Sequence, residues 1–199
     1  MKPFSVTWDY RCPFARNVHE HLLAGMADGA DWDVTFLPFT LSQGHVPEDG
    51  TPVWDDPAKF EDLVALAAGV AVRDQYPEQF SAVHHALFAA RHDEGLDIRD
   101  PALIARILDA HGVPGDKVLA EVEAGGPIDE IKRAHQLAVS EWSVFGVPTF
   151  IVGRRAVFVR LMSRPEGDAA LARRSIEGII ELMEEQPDLN EFKYTTLER

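Results

Sequence analysis

The residue best suited to chemistry in this sequence is its only cysteine, Cys12. It follows the strand-like run Phe4–Trp8 and precedes Pro13, which suits the first position of a helix because its missing N–H costs nothing there. We therefore expect Cys12 at the N-cap, where the helix dipole and unpaired backbone N–H groups stabilise a thiolate. Arg11 and Arg16 are expected to add positive charge nearby. This context predicts a reactive thiol, although a lone intracellular cysteine is more often a small buried hydrophobe.

A second motif lies at the entrance to a later strand. Val147-Pro148 comes directly before the strand-like run 149–152. Proline is awkward in the middle of a sheet but acceptable at the start of a strand. There it is a candidate for a cis peptide bond, a feature that usually has a purpose. The sequence thus predicts a cis-Pro148 loop as the second part of a functional site.

Together the two motifs resemble those of the thioredoxin-fold superfamily, specifically its DsbA-like branch, which carries an inserted helical domain. There a Cys-x-x-Cys motif opens the first active-site helix and a cis-proline loop lies against it. Residues 12–15 (Cys-Pro-Phe-Ala) match the first half of that motif, and Val147-Pro148 matches the loop. Ala15 stands in place of the second cysteine, so no internal disulfide can close. The stretch also resembles the kappa-class glutathione transferases and 2-hydroxychromene-2-carboxylate isomerases, which activate a bound glutathione thiol.

The resemblance leaves three functions open. The main hypothesis is a thiol-disulfide oxidoreductase of the monothiol type: Cys12 attacks a disulfide or thiol conjugate, and glutathione or mycothiol resolves the mixed disulfide. The second is a transferase or isomerase in which Cys12 positions such a small thiol for reaction with an apolar electrophile. The third is a non-catalytic module with an inert, buried Cys12. No covalently bound cofactor is expected.

Under the first two hypotheses Cys12 is the catalytic residue. Pro148 is expected to shape a groove and to leave the backbone of Val147 free to pair with an extended substrate. The other residues expected to contact substrate or thiol are Pro13, Phe14, Trp8 and Trp54. No metal site is expected, because the eight histidines show no helical ligand spacing. His135 is a candidate base for Cys12, although an ordinary surface position is the stronger expectation.

Composition limits the partners and the compartment. The chain has 33 acidic and 19 basic residues, a net charge of −14, which argues against binding nucleic acid or an anionic membrane through bulk charge. No apolar run approaches the ~20 residues that span a bilayer. The beginning of the sequence has no signal-peptide pattern, and one cysteine excludes a disulfide framework, so we expect a reducing cytoplasm. Expected partners are small thiols, thiol conjugates and protein disulfides; a homodimer is compatible with the sequence but not required by it.

The elements that must position these residues are those of an α/β protein with a thioredoxin-like fold and an inserted all-helical domain. A strand, a helix and a second strand are expected at Phe4–Trp8, Pro13–Ala27 and 32–38, forming a parallel crossover. A loop rich in glycine and proline follows at 40–55, and with Trp54 it either covers the site or serves as a plain linker. Later come four or five helices, a hairpin and a last helix, at 56–142, 149–160 and 168–186.

These elements predict three segments. Residues 1–55 and 141–199 form the two parts of the thioredoxin-like domain, and residues 56–140 form the inserted helical domain. The tail at 187–199, which includes Leu189, Phe192, Tyr194 and Leu197, is expected either to dock on the body or a partner subunit, or to hang free.

Overall fold

A four-stranded mixed sheet forms the core of the computed structural model, which describes residues 3–194 and residue 196. The strand order is β2-β1-β3-β4, for β1 (Phe4–Trp8), β2 (Val34–Pro38), β3 (Thr149–Val152) and β4 (Arg155–Phe158). β1 pairs in parallel with β2 and antiparallel with β3, which forms a hairpin with β4. Because β3 runs antiparallel to β1, the carboxyl end of β1 lies beside the amino end of β3. The two motifs predicted from the sequence meet at that edge.

Helix α1 (Pro13–Ala27) connects the two parallel strands. It begins as predicted, because Cys12 has an extended backbone (φ −96°, ψ 118°) at the N-cap and Pro13 follows inside the first turn. Its buried stripe includes Val18 and Leu22, whereas Met26 at the end of the helix is 36% exposed. Helix α7 (Ala169–Glu185) packs along α1.

The predicted helical insertion consists of five α-helices between β2 and β3. They are α2 (Phe60–Gln75), α3 (Pro77–His92), α4 (Pro101–Ala110), α5 (Gly115–Glu123) and α6 (Gly126–Trp142). Helix α2 lies at the centre of the group, buried at every position from 63 to 72 and in contact with the other four helices. Helix α4 begins at an Asp-Pro pair, where the Asp100 carboxylate accepts the Ala102 N–H at 2.9 Å. The boundaries at 55/56 and 140/141 stay a prediction; α6 itself continues to Trp142.

A buried chain of hydrogen bonds joins the insertion to the sheet. His19 Nε2 lies 3.2 Å from the Thr7 carbonyl oxygen, His84 Nε2 lies 2.9 Å from His19 Nδ1, and the Tyr10 hydroxyl lies 2.7 Å from His84 Nδ1. Burial lowers the pKa of His19 to about 4 and that of His84 well below its usual value, so both imidazoles are neutral. Because a carbonyl can only accept, His19 donates from Nε2; in a neutral ring its Nδ1 then accepts from His84 Nε2, and His84 Nδ1 accepts from the Tyr10 hydroxyl.

The end of the chain extends beyond α7. Leu189, Phe192 and Tyr194 are exposed by 45%, 74% and 70% in this single chain, and the expectation about Leu197 lies outside the described residues. Within the part that the structure describes, none of the helices has the length and apolar character needed to cross a membrane.

Candidate active site

Cys12 lies at the N-cap of α1 with its sulfur between the helix and the Pro148 loop. The sulfur accepts the Ala15 N–H at 3.4 Å, and the thiol lies 3.3 Å from the Val147 carbonyl oxygen, to which the S–H donates. The side chain is 7% exposed. These contacts confirm the predicted place of Cys12 in the fold, and the nearby carbonyl favours the protonated thiol, because only the S–H form can donate to it.

Burial raises the pKa of the Cys12 thiol, and this effect outweighs the backbone N–H groups of Ala15 and Phe14, which lower it. The negative charge of Asp9 raises the pKa further. The expectation of a thiolate stabilised by the helix is therefore wrong for the resting protein. The helix contributes as predicted, but loss of solvent around the sulfur is the larger effect.

The two arginines expected to assist the thiol are engaged elsewhere. Arg11 pairs with Asp62 at 3.3 Å. Arg16 pairs with Glu20 at 2.9 Å and also with Asp93. Because each guanidinium is paired with one or two neighbouring carboxylates, neither arginine supplies net positive charge to the sulfur.

The peptide bond between Val147 and Pro148 is cis, as predicted. Two threonines hold the loop in place: Thr149 N–H donates to Thr7 Oγ1 at 2.8 Å, and both hydroxyls donate to the Gly146 carbonyl oxygen, at 2.8 Å from Thr149 and 3.4 Å from Thr7. The expectation that the Val147 backbone is free holds only in part, since its carbonyl already accepts the Cys12 thiol. A substrate that pairs with this carbonyl must displace the S–H.

Asp9 is a residue of the candidate site that the sequence analysis did not single out. Its carboxylate accepts the Arg11 N–H at 2.9 Å and the Leu41 N–H at 2.8 Å, while its own carbonyl accepts the Cys12 N–H at 3.1 Å. Burial raises the pKa of this carboxyl, and the two N–H groups act in the opposite direction. An aspartate that ends a strand and bonds the backbone two residues later is a local turn pattern that could have been found. Its bond to Leu41 joins the thiol loop to the segment after β2.

The residues expected to contact substrate or thiol occupy different environments. Pro13 is exposed beside the thiol, and Phe14 is half-buried with the Arg160 guanidinium 5.4 Å from its ring centroid. Trp8 forms no wall of a groove, because it is fully buried and packs on Phe80 and the histidine chain. Trp54 is half-buried against His135, with 5.3 Å between ring centroids.

His135 is neither a surface residue nor a base for Cys12. It is 6% exposed and stacks on Phe39, with ring centroids 3.9 Å apart. Its Nδ1 has no hydrogen-bond partner within the described structure. Over the same residues, no group of three or more His, Cys, Asp or Glu side chains could hold a metal ion.

Comparison with known proteins agrees with this architecture. Residues 5–163 match the model of the DSBA-like thioredoxin domain, and the chain belongs to that family. The family comprises thiol oxidoreductases and isomerases, so membership supports the conclusion that the protein is an enzyme, without specifying its reaction. No curated protein matches the sequence significantly.

Three solved structures show the same fold. DsbA from Pseudomonas aeruginosa is 21% identical, with a TM-score of 0.56 over 92% of this chain and 86% of that chain. The cytosolic disulfide reductase DsbM from P. aeruginosa, solved with GSH, is 16% identical, with a TM-score of 0.61 over 90% and 100%. A 2-hydroxychromene-2-carboxylate isomerase is 14% identical, with a TM-score of 0.59 over 94% and 99%.

Proposed function

We propose that this protein is a thiol-dependent transferase or isomerase in which Cys12 holds the sulfur of a small co-substrate thiol, glutathione or mycothiol, for reaction with a small apolar electrophile. The observation that carries the proposal is the state of Cys12: a buried thiol with a raised pKa that donates its S–H at 3.3 Å. A neutral thiol is a poor nucleophile but a good hydrogen-bond donor.

In this mechanism the site has to stabilise the ionised sulfur of the co-substrate thiol. When the Cys12 S–H turns from the Val147 carbonyl to an incoming sulfur, it donates a hydrogen bond to a charged acceptor, which is worth about 1.5–3 kcal/mol. The amino end of α1 adds its positive potential to the same place. The co-substrate thiol gives its proton to solvent as it binds, and the resulting thiolate attacks the electrophilic carbon. In a substitution the leaving group, such as chloride, departs with its bonding electron pair; in an addition the carbanion takes up a proton from solvent, and Cys12 keeps its own proton throughout.

The relatives support the choice of a small thiol as partner. DsbM was solved with GSH, and another structure of the same fold is an isomerase. Ala15, where a second cysteine would close a disulfide, also fits a site that relies on an external thiol. A reducing cytoplasm, where a single cysteine stays reduced, is part of this proposal.

A monothiol oxidoreductase is the second candidate, and the contact between Cys12 and the cis-Pro148 loop favours it. In that case ionised Cys12 attacks a disulfide, one sulfur leaves as a thiolate, and a second small thiol releases the product from the mixed disulfide. The raised pKa of Cys12 counts against this route at neutral pH.

The two routes are separated by replacing the sulfur. Cys12→Ser keeps a hydroxyl that can donate, whereas Cys12→Ala does not. We expect Cys12→Ser to retain conjugation of glutathione or mycothiol to 1-chloro-2,4-dinitrobenzene within about tenfold, and Cys12→Ala to lose about 10- to 150-fold, the value of one hydrogen bond to a charge. Ser81→Ala, at an exposed position of α3, is the matched control.

Reduction of bis(2-hydroxyethyl) disulfide is measured on the same variants. Loss of both activities in Cys12→Ser as well as in Cys12→Ala would identify Cys12 as the nucleophile and select the oxidoreductase. A wild-type protein that is inactive in both assays with either thiol would contradict both candidates and leave the non-catalytic module.

A further inference from the structure

A small cavity lies beside the candidate active site, between the segment after β2, helix α6 and the loop that leads to Pro148. Its volume is about 240 Å³, just below the ~300 Å³ at which sites for drug-sized ligands begin. Its lining is mainly apolar and also includes a few polar residues: Phe39, Leu41, Val139, Val144 and Phe145, with Thr40, Gln43, Gly44 and His135. A larger recess of about 400 Å³ runs along α7, but none of the residues around the thiol lines it.

The cavity is tied to the thiol loop from two sides. The Leu41 N–H donates to the Asp9 carboxylate at 2.8 Å, and the Asp9 carbonyl accepts the Cys12 N–H. On the other side, Phe145 lies two residues before Val147, whose carbonyl accepts the Cys12 thiol. A ligand in the cavity is therefore adjacent to the segments that hold the sulfur.

Three polar side chains line the cavity, and His135 is the one with an unpaired atom, because Thr40 Oγ1 and Gln43 Oε1 already accept backbone N–H groups. His135 is 6% exposed, and its Nδ1 is buried without a partner. The Trp54 indole N–H is also buried without a partner, and the two ring centroids are 5.3 Å apart. An unpaired buried acceptor or donor costs about 1–3 kcal/mol, so the free protein carries a cost here that a ligand can relieve. Trp54 does not line the cavity, so the pairing offered to a ligand is that of His135 alone. A hydroxyl suits it in either tautomer, because a hydroxyl can donate to or accept from an imidazole nitrogen.

The lining also limits the charge of the occupant. None of the residues around the cavity is an acid, a lysine or an arginine. Burial lowers the pKa of His135 to about 4, so its ring is neutral at pH 7. A charged ligand would lose its hydration without gaining an ion pair. The aromatic rings of Phe39 and Phe145 favour a flat, apolar body.

We propose that this cavity binds the electrophilic substrate, and that the substrate is a neutral, planar aromatic compound whose hydroxyl group pairs with His135. Its role as a substrate site rests on the proposed function. The binding preference itself does not, because it is a property of the cavity alone.

The test compares two probes that differ by one hydroxyl, 2-naphthol and naphthalene, titrated by fluorescence. We expect the wild-type protein to bind 2-naphthol about fivefold to tenfold more tightly, the value of one neutral hydrogen bond. His135→Phe keeps a ring for stacking on Phe39 but removes both nitrogens, so it should bind the two probes equally. His85→Phe, the same change at an exposed position of α3, should keep the preference.

A second variant locates the binding. Val139 lines the cavity and is 46% exposed, so Val139→Trp can fill the space without disturbing the core. It should abolish binding of both probes while circular dichroism stays unchanged. Retention of the full hydroxyl preference in His135→Phe, or undiminished binding in Val139→Trp, would overturn the proposal.

The two proposals fail separately. Cys12→Ala should bind both naphthalene probes as the wild type does, since Cys12 does not line the cavity. If wild-type protein shows no thiol-transfer activity but His135→Phe removes the preference for the hydroxyl probe, the ligand preference of the cavity is supported and the proposed function is contradicted. If transfer activity is present but naphthol and naphthalene bind equally to the wild type, the cavity proposal falls.

Discussion

Acidification from pH 7 to pH 5 should destabilise this protein through its buried histidines. His19 and His84 lie in the hydrogen-bond chain and His135 lies under Trp54, and burial lowers the pKa of each. In the unfolded chain these groups take up protons below about pH 6.5, whereas in the folded protein they stay neutral. The unfolded state therefore binds more protons, and the free energy of unfolding falls as the pH drops.

The size of the effect follows from the pKa values. For His19 and His135 the folded pKa is about 4 against 6.5 for the free group. Between pH 6.5 and pH 5 each therefore contributes a loss of about 2 kcal/mol, at about 1.4 kcal/mol per pH unit. His84 adds a loss of the same sign. Asp9 acts in the opposite sense, because its raised pKa stabilises the fold at low pH. A combined loss of about 4 kcal/mol is a large part of a typical stability of about 5–15 kcal/mol.

Urea unfolding followed by circular dichroism at pH 7, 6 and 5 measures this loss. His135→Phe removes one of the titrating groups, so the loss between pH 7 and pH 5 should shrink by about 2 kcal/mol. His45→Phe, at an exposed site, should leave it unchanged. A free energy of unfolding that stays constant between pH 7 and pH 5 would refute the reasoning, as would an undiminished loss in His135→Phe.

Three further predictions concern the packing of Tyr10 and the thiol. A Cβ at Gly69 would clash with the Tyr10 hydroxyl, so Gly69→Ala should lower the free energy of unfolding, measured in urea, by about 1–3 kcal/mol, whereas Gly178→Ala, with nothing within 4 Å, should not destabilise the protein. Cys12 should react with iodoacetamide more slowly than free cysteine at pH 7 and accelerate steadily to above pH ~9, because its pKa is raised; a plateau below pH ~8.5 would contradict the site described here. Ala15→Cys should permit an internal disulfide with Cys12, seen by mass spectrometry as the loss of two hydrogens on oxidation; persistence of two free thiols under oxidant would show that the helix start cannot accommodate the bond.

Local patterns account for the parts of the site that the sequence predicts correctly. The strand before Cys12, Pro13 inside the first turn and the proline at the entrance of β3 are each decided by neighbouring residues. Helix capping and the restricted backbone of proline depend on only a few neighbouring residues, so both can be predicted from the sequence without knowledge of the fold. The resemblance of the two motifs then supplies the topology, which the sheet order and the family confirm.

The errors arise where distant segments meet. The pKa of Cys12 depends on burial, and the position of Trp8 depends on helix α3, which lies about 70 residues away in sequence. His84 forms a hydrogen bond with His19, which lies 65 positions away in the sequence, and the spacing of residues in α1 or α3 does not predict that pairing. His135 is likewise placed by Phe39 and Trp54 from the segment after β2. Such contacts are set by packing between elements, which residue spacing alone does not specify.

The direction of the histidine chain has a consequence for protein engineering. The Thr7 carbonyl of the sheet determines which nitrogen of each histidine carries the proton. Tyr10, His84 and His19 therefore join the insertion to the sheet through hydrogen bonds whose donors and acceptors have one fixed order. Helices borrowed from another member of the family would dock correctly only if all three partners were transferred together. A hybrid that exchanges the insertion alone should assemble poorly, even where its apolar surfaces are well matched.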